Sequence, residues 1–296
     1  MALWKPSNLE ATLTAWQQAG DPNDLSAATV SVSTWADSSG NGNDLVQSNS
    51  ANQPQVFVLN GLNVLDFNSA QNDHMDYGDL DAMDVGGANP GEGDFYMALV
   101  FRPDNNATNT SNGNPELGNM ALLAKHSGSD DYLLRIARST QRVQQYIGST
   151  SGPVVANGTT DIQAATTYIL MGYRFNGNSI IRLDGVQEAI VANTNDLDNS
   201  RLLHVGGQAT AGTASNYDGL ICEIVMGGGT IGAIDIIKLE GYLNRRFALD
   251  NLPAANTYSD FAPAIGLHGV HNQDLIGELL LDLSAPLVSD TLAAAL

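Results

Sequence analysis

Residues 167–191 read TYILMGYRFNGNSIIRLDGVQEAIV. Two turn signals cut this stretch into three pieces of strand length. Asn176-Gly177 separates Tyr173-Arg174-Phe175 from Ile180-Ile181. Asn-Gly between apolar runs is a strong hairpin signal, because both residues tolerate the positive φ that a two-residue turn demands. Asp184-Gly185 supplies the next reversal. The stretch therefore predicts strands over Thr167–Arg174, Ser179–Leu183 and Gln187–Val191, paired antiparallel.

The same signature recurs on either side. Short alternating or apolar runs lie near Gln55–Leu59, Asn63–Phe67, Phe95–Arg102, Met120–Lys125, Tyr132–Arg138, Arg142–Ile147, Leu202–Val205 and Leu220–Met226. Eleven such strands with little helix between them predict an all-β fold, a two-sheet antiparallel jelly-roll sandwich and not a βαβ array. One helix is expected from Ala233 to about Leu249, where Ile236, Leu239, Leu243 and Phe247 share a face. Arg245 and Arg246 suit its C-terminus, and its expected place is an edge or end of the sandwich. The first 25 residues fit a helix or a strand equally. Asn68–Gly93 and Pro103–Gly118 read as long polar loops. After Pro253 the character changes, so the chain divides into a jelly roll at 1–250 and a C-terminal docking tail at 251–296.

Composition narrows the functions. Twelve Lys+Arg face 32 Asp+Glu, a formal net charge of −20, which repels phosphate backbones and argues against nucleic acid. Thirty Gly and 28 Asn in 296 residues point to many tight turns. The single Cys222 excludes an internal disulfide framework and sits in an apolar run, as a buried thiol would. No run of about 18 apolar residues is present to span a membrane. Met1-Ala2-Leu3-Trp4-Lys5-Pro6 has no apolar export core, so secretion by the general route is not expected.

Two regions resemble the concanavalin A-like lectin/glucanase superfamily, in its laminin-G-like branch found in bacterial and bacteriophage surface proteins. The first is Trp35-Ala36-Asp37-Ser38-Ser39-Gly40-Asn41-Gly42-Asn43-Asp44, followed by Gln53-Pro54 and Asn60-Gly61-Leu62-Asn63-Val64-Leu65-Asp66-Phe67. It is similar to that branch's opening pattern. The second is Tyr217-Asp218-Gly219-Leu220-Ile221-Cys222-Glu223-Ile224, then Leu239-Glu240-Gly241-Tyr242-Leu243-Asn244-Arg245-Arg246-Phe247-Ala248-Leu249. It is similar to the closing strand and helix, with Phe247-Ala248 replacing the usual Trp-Gly. The resemblance spans about residues 9 to 250 and implies the sandwich fold. It implies no single function, since this fold carries lectins, glycanases, adhesins and structural modules.

Several constellations are candidate sites. Asp73, His74, Asp76, Tyr77 and Asp79, with Asp81 and Asp84 beyond them, gather carboxylates, an imidazole and an aromatic ring on one loop. Such a group suits a sugar or a hard cation; a solvated acidic loop is the bland alternative. Asp37, Asn41 and Asp44 have the alternate-residue spacing of a calcium loop, but Ser48 stands where its bidentate Glu belongs, so a hydrogen-bonded turn competes with calcium there. His268, His271 and Asp274 could converge on a metal if helical, against which Gly266 and Gly269 speak. Tyr132, Tyr146, Tyr168 and Tyr173 lie in expected strands, where core packing competes with sugar stacking. Gly227-Gly228-Gly229-Thr230-Ile231-Gly232 matches a dinucleotide fingerprint but lacks the following parallel strand, so a strand-to-helix turn is expected.

Hydrolysis of a glycoside needs two flanking carboxyls, and the superfamily's E-x-D-x-x-E string is absent. The leading expectation is thus a non-enzymatic virion structural or surface protein, a phage head decoration, tail or fibre component. It would be made in the host cytoplasm and exposed on the particle. Leu275, Ile276, Leu279, Leu280 and Leu283 of the tail would dock it on other virion proteins or on copies of itself, a trimer among the assemblies considered. The alternative is a carbohydrate-binding adhesin or receptor-binding module with a cell-surface glycan as partner; a glycan hydrolase ranks third. No cofactor is required, calcium being the one candidate.

Overall fold

The computed structural model describes residues 4–20, 31–80, 93–105, 119–125, 132–148, 153–195, 201–207 and 216–253. The segment 254–296, with Leu275, Ile276, Leu279, Leu280, Leu283, His268, His271 and Asp274, lies outside the described residues, as do Asp81 and Asp84. In chain order the strands are β1 (Ala15–Gln17), β2 (Thr34–Trp35), β3 (Leu45–Val46), β4 (Gln55–Leu59), β5 (Leu62–Phe67), β6 (Met75–Asp76), β7 (Phe95–Pro103) and β8 (Met120–Lys125). They continue with β9 (Tyr132–Ala137), β10 (Arg142–Ile147), β11 (Val154–Asn157), β12 (Tyr168–Phe175), β13 (Asn178–Leu183), β14 (Val186–Ala192), β15 (His204–Val205) and β16 (Gly219–Gly228). The helix α1 (Ala233–Arg246) follows.

The fold is a two-sheet antiparallel β-sandwich. One sheet runs β14-β13-β12-β7-β16-β5-β4, with β1 also paired to β16. The other runs β11-β10-β9-β8-β15-β6-β3-β2. All described pairings are antiparallel, and the hairpin turns carry the expected chemistry. Asn60-Gly61, Asn176-Gly177 and Asp184-Gly185 all have positive φ at both central residues, the conformation whose twist matches paired strands.

The inner faces of the two sheets meet in one core that includes Trp35, Leu45, Leu65, Phe67, Phe95, Leu99, Phe101, Leu122, Tyr132, Leu134, Ile221 and Ile224. Alternate residues of the first sheet face the other way. Tyr96, Ala98, Val100, Ile169, Met171 and Val225 pack against Leu239, Tyr242 and Leu243 of the helix and Phe247 just after it. Contrary to the expectation of an edge or end, α1 therefore covers the outer face of this sheet. The run Phe95-Tyr96-Met97-Ala98-Leu99-Val100-Phe101 is apolar throughout because both of its faces are buried.

A bulge on β16 shapes the junction with the helix. Its register against β7 shifts between Ile221 and Glu223. The extra residue turns Glu223 to the helix side, where Leu220, Cys222 and Val225 also lie, while Ile221, Ile224 and Met226 face the inner core. Glu223 is fully buried. Its Oε1 accepts from Trp16 Nε1 at 2.8 Å and from the Tyr242 hydroxyl at 2.7 Å. Its Oε2 accepts from Arg246 Nε at 2.6 Å. A second ion pair, Glu240 of α1 with Arg182 of β13 at 2.7 Å, holds the other side of the helix. Burial holds the Cys222 thiol well above its ordinary value. Of the fingerprint-like glycines, Gly227 has a packing duty: a Cβ there would stand 1.8 Å from the Thr12 carbonyl.

Two stability outcomes follow from these contacts. Glu223→Ala leaves the Arg246 charge, the Trp16 N–H and the Tyr242 hydroxyl without their acceptor. It is expected to cost about 3–5 kcal/mol in urea unfolding; a loss within ~0.5 kcal/mol would remove the carboxylate from this role.

Asp184 sits in the second hairpin turn and accepts from the Ile169 N–H at 2.8 Å and from Asn251 Nδ2 at 3.2 Å. Burial, more than the charges of Glu240 and Glu188, raises its carboxyl to about 6 from 3.8, against those two bonds. The native state thus holds a proton that the unfolded chain has released, and this contribution to stability is lost as pH rises from about 4 to 6. Asp184→Asn keeps an acceptor for the Ile169 N–H and suits the left-handed turn. It is expected to be more stable than the parent at pH 7 by about 1 kcal/mol, after allowance for partial solvation, and to flatten the decline between about pH 4 and 6. An unchanged pH slope would count against the assignment.

Candidate functional site

The second sheet carries the site. Eight residues form a continuous cross-strand row on its outer face: Thr34, Val46, Asp76, His204, Ala124, Leu133, Tyr146 and Val155. Their chain neighbours Leu45, Met75, Val205, Leu123, Leu134 and Ile147 lie in the inner core, so strand alternation turns the row outward. Ala121, Ala124 and Leu133 make a small apolar cluster with half-buried Tyr146 packed against it. Arg135 lies over the Tyr146 ring, 5.5 Å from its centre, and its Nε donates to Gln144 at 2.9 Å. Gln144 in turn donates to Asn157 at 2.6 Å. This end of the row combines an aromatic ring with a chain of planar polar groups.

Three inter-strand spacings away, about 14 Å, lies an acid–imidazole cluster. Asp76 of β6 is directly opposite His204 of β15. His204 Nδ1 is hydrogen-bonded to Asp76 Oδ1. His74 precedes Asp76 by two residues and so shares its face; its Nε2 lies 3.9 Å from Asp76 Oδ2. His74 Nδ1 lies 2.8 Å from the Asn72 carbonyl. A carbonyl only accepts, so Nδ1 carries a proton, and in the neutral ring Nε2 is then the nitrogen with the lone pair. The two imidazole rings are 6.1 Å apart at 64°.

The loop candidates are thereby divided. Residues 73–77 alternate buried and half-exposed because Met75 and Asp76 form a strand inside what the sequence presents as a loop. His74 and Asp76 face outward. Tyr77 faces the core, fully buried, with its hydroxyl donating to Gln17 Oε1. Asp73 is also buried; its Oδ2 accepts from the Asn68 N–H at 3.0 Å while Oδ1 has no partner. Burial raises its carboxyl to about 6 against the bond from Asn68. Asp79 is paired with buried Lys125 at 2.9 Å. His204 was not among the sequence candidates. The expected strand Leu202–Val205 contained it, but nothing in the sequence pairs residue 204 with residue 76.

Asp37, Asn41 and Asp44 build a hydrogen-bonded turn. The Asp37 carboxylate accepts from the N–H groups of Trp16, Ser39 and Asn43 and from the Ser39 hydroxyl, at 2.7–3.0 Å. Asp44 Oδ1 accepts from the Asp37 N–H at 2.8 Å. Asn41 Nδ2 donates to the carbonyls of Leu13 and Thr14 at 2.7 and 3.0 Å. The turn ties the approach to β1 onto the loop after Trp35. Three glutamates on the sandwich also have structural partners: Glu223 and Glu240 as above, and Glu188, which accepts from the N–H and hydroxyl groups of Thr159 and Thr160.

No protein-family model matches the chain, and no curated protein does. Solved structures do match in fold. Domain 4 of AbnA, an extracellular GH43 arabinanase from Geobacillus stearothermophilus, solved with arabinotriose, aligns with a TM-score of 0.54 at 16% identity. The alignment covers 78% of this chain and 99% of that one. The binding domain of Paraclostridial Mosquitocidal Protein 1 aligns with a TM-score of 0.57 at 11% identity, over 81% of this chain and 53% of that one. At these identities the likeness is one of fold.

The Asp37 geometry generates a test of the calcium alternative. Asp37→Ala removes four hydrogen bonds and is expected to lower stability by about 2–4 kcal/mol, equally in calcium and in EDTA. A loss seen only with calcium present would mean that the turn holds an ion.

Proposed function

We propose that the chain is a non-enzymatic carbohydrate-binding or receptor-binding module, and that the outer face of the β11-to-β2 sheet is its recognition surface. The observation that carries this reading is the Tyr146–Arg135–Gln144–Asn157 group on the same face as Asp76 and His204, with Tyr146 on their row. Sugar recognition asks for an aromatic ring to lie against the apolar face of a pyranose or furanose and for planar polar groups to bond its hydroxyls. The face supplies both within the reach of a short oligosaccharide. The fold likeness to an arabinotriose-bound domain, over nearly all of that domain's length, supports the same reading. So does the likeness to a toxin's binding domain.

In this reading the face binds without cleaving. The pairing of buried Glu223 and Glu240 and of part-exposed Glu188 is in keeping with that, since each has a structural duty. The virion reading drew on the tail at 254–296, which is outside the described residues. Neither the geometry nor the fold neighbours adds support to it. A recognition module could equally serve a free or a particle-bound protein, so the glycan question comes first.

The test is a glycan array followed by calorimetry with the best binders, arabino-oligosaccharides and sialyllactose included. Tyr146→Ala is expected to weaken the interaction at least tenfold while leaving the thermal midpoint within a few degrees of the parent. Absence of binding to every glycan, or full binding by the Tyr146 variant, would overturn the proposal.

A further inference from the structure

We infer that His74, Asp76 and His204 form a binding site for a divalent transition-metal ion of the zinc class, independent of any glycan. Among the described residues these three offer one donor atom each, all within 4.8 Å of one another. Strand geometry explains the convergence. Two residues of alternate spacing, His74 and Asp76, share one face, and antiparallel pairing sets His204 directly across from Asp76.

The donor chemistry selects the metal. Two imidazoles and one carboxylate suit zinc and its neighbours, whereas calcium takes six to eight oxygens. Zinc–nitrogen bonds of about 2.0 Å place tetrahedral ligands about 3.3 Å apart. The three donor atoms, now within 4.8 Å of one another, would adjust to that spacing on binding. Three protein ligands leave a coordination position for water.

Two further features are those of a built site. The His74 ring is oriented from behind: its Nδ1–H donates to the Asn72 carbonyl at 2.8 Å. Asn72 is itself held in a left-handed conformation, φ 56°, with its side-chain oxygen accepting from Asn216 at 2.8 Å. Outer partners of this kind fix the tautomer that presents Nε2 to a metal. The second feature is His204, whose side chain is only 7% exposed and whose Nε2 has no hydrogen-bond partner. A buried imidazole nitrogen left unsatisfied is costly unless something else engages it. The net charge of −20 further raises the local concentration of cations.

The experiment uses the full chain, stripped with EDTA and exchanged into chelator-free buffer, and titrates it with zinc alone against a chromophoric chelator. One zinc per chain is expected. His74→Ala, a half-exposed side chain whose loss leaves the core intact, is expected to weaken binding at least tenfold, with an unchanged metal-free far-UV spectrum. A His268→Ala/His271→Ala double variant is expected to bind as the parent does, which separates this site from the histidines of the tail. Binding that survives in His74→Ala, or is lost in the tail variant, would overturn the assignment. So would failure of the parent to bind zinc, or equal competition by calcium.

Discussion

A carboxylate with no access to water stands at the centre of this protein. Glu223 lies in the longest strand of the first sheet, and three donors from two other elements converge on it: Trp16 of β1, and Tyr242 and Arg246, one turn apart in the C-terminal part of the helix. An ionised group can be buried only where its charge and its lone pairs are all answered. The first strand and the helix are therefore not free to dock independently. Each supplies part of what the other needs, and the outer layer of the sandwich closes as a unit. Arg246 extends the constraint by donating also to the Ala19 carbonyl, beyond the end of β1. The second sheet is then left as the layer whose outer face is not taken up by the helix, and the candidate site is found there.

The logic of that face is periodicity. A strand sends successive side chains to opposite sides, so a polar cluster in sequence becomes two populations in space. Asp73 and Tyr77 go inward and hold the loop together; His74 and Asp76 go outward and meet His204. The same rule, applied across eight strands, aligns Tyr146 with that cluster. The candidate site is assembled by cross-strand register and not by any contiguous motif.

The parts of the fold that were legible in the sequence are those governed by local physics. Asn176-Gly177 and Asp184-Gly185 announce hairpins because turn geometry depends on only two residues. The apolar stripe of the helix is likewise local, and so are the long strands β7, β12 and β16. What the sequence withheld is non-local. The two-residue strands β2, β3 and β6 are too short to show a period. The bulge beside Cys222 breaks alternation at one position and turns Glu223 toward the helix. The helix periodicity marks a buried face but not the surface that buries it, hence its location over a sheet face in place of an edge. His204 could be found only through its pairing with Asp76, 128 residues earlier.

The pairing of β1 with β16 has a consequence for biosynthesis. Ala15 has Met226 as its partner, 211 residues later in the chain. At ribosomal speeds of about 5–20 residues per second, the first strand waits roughly 10–40 s before its neighbour exists. During that interval Trp16 has neither its sheet nor its acceptor, and the nascent segment is an unpaired edge of the kind that chaperones shield. Completion of the sandwich is thus deferred until translation has passed the helix, which makes the final fifth of the described chain the trigger that commits everything before it.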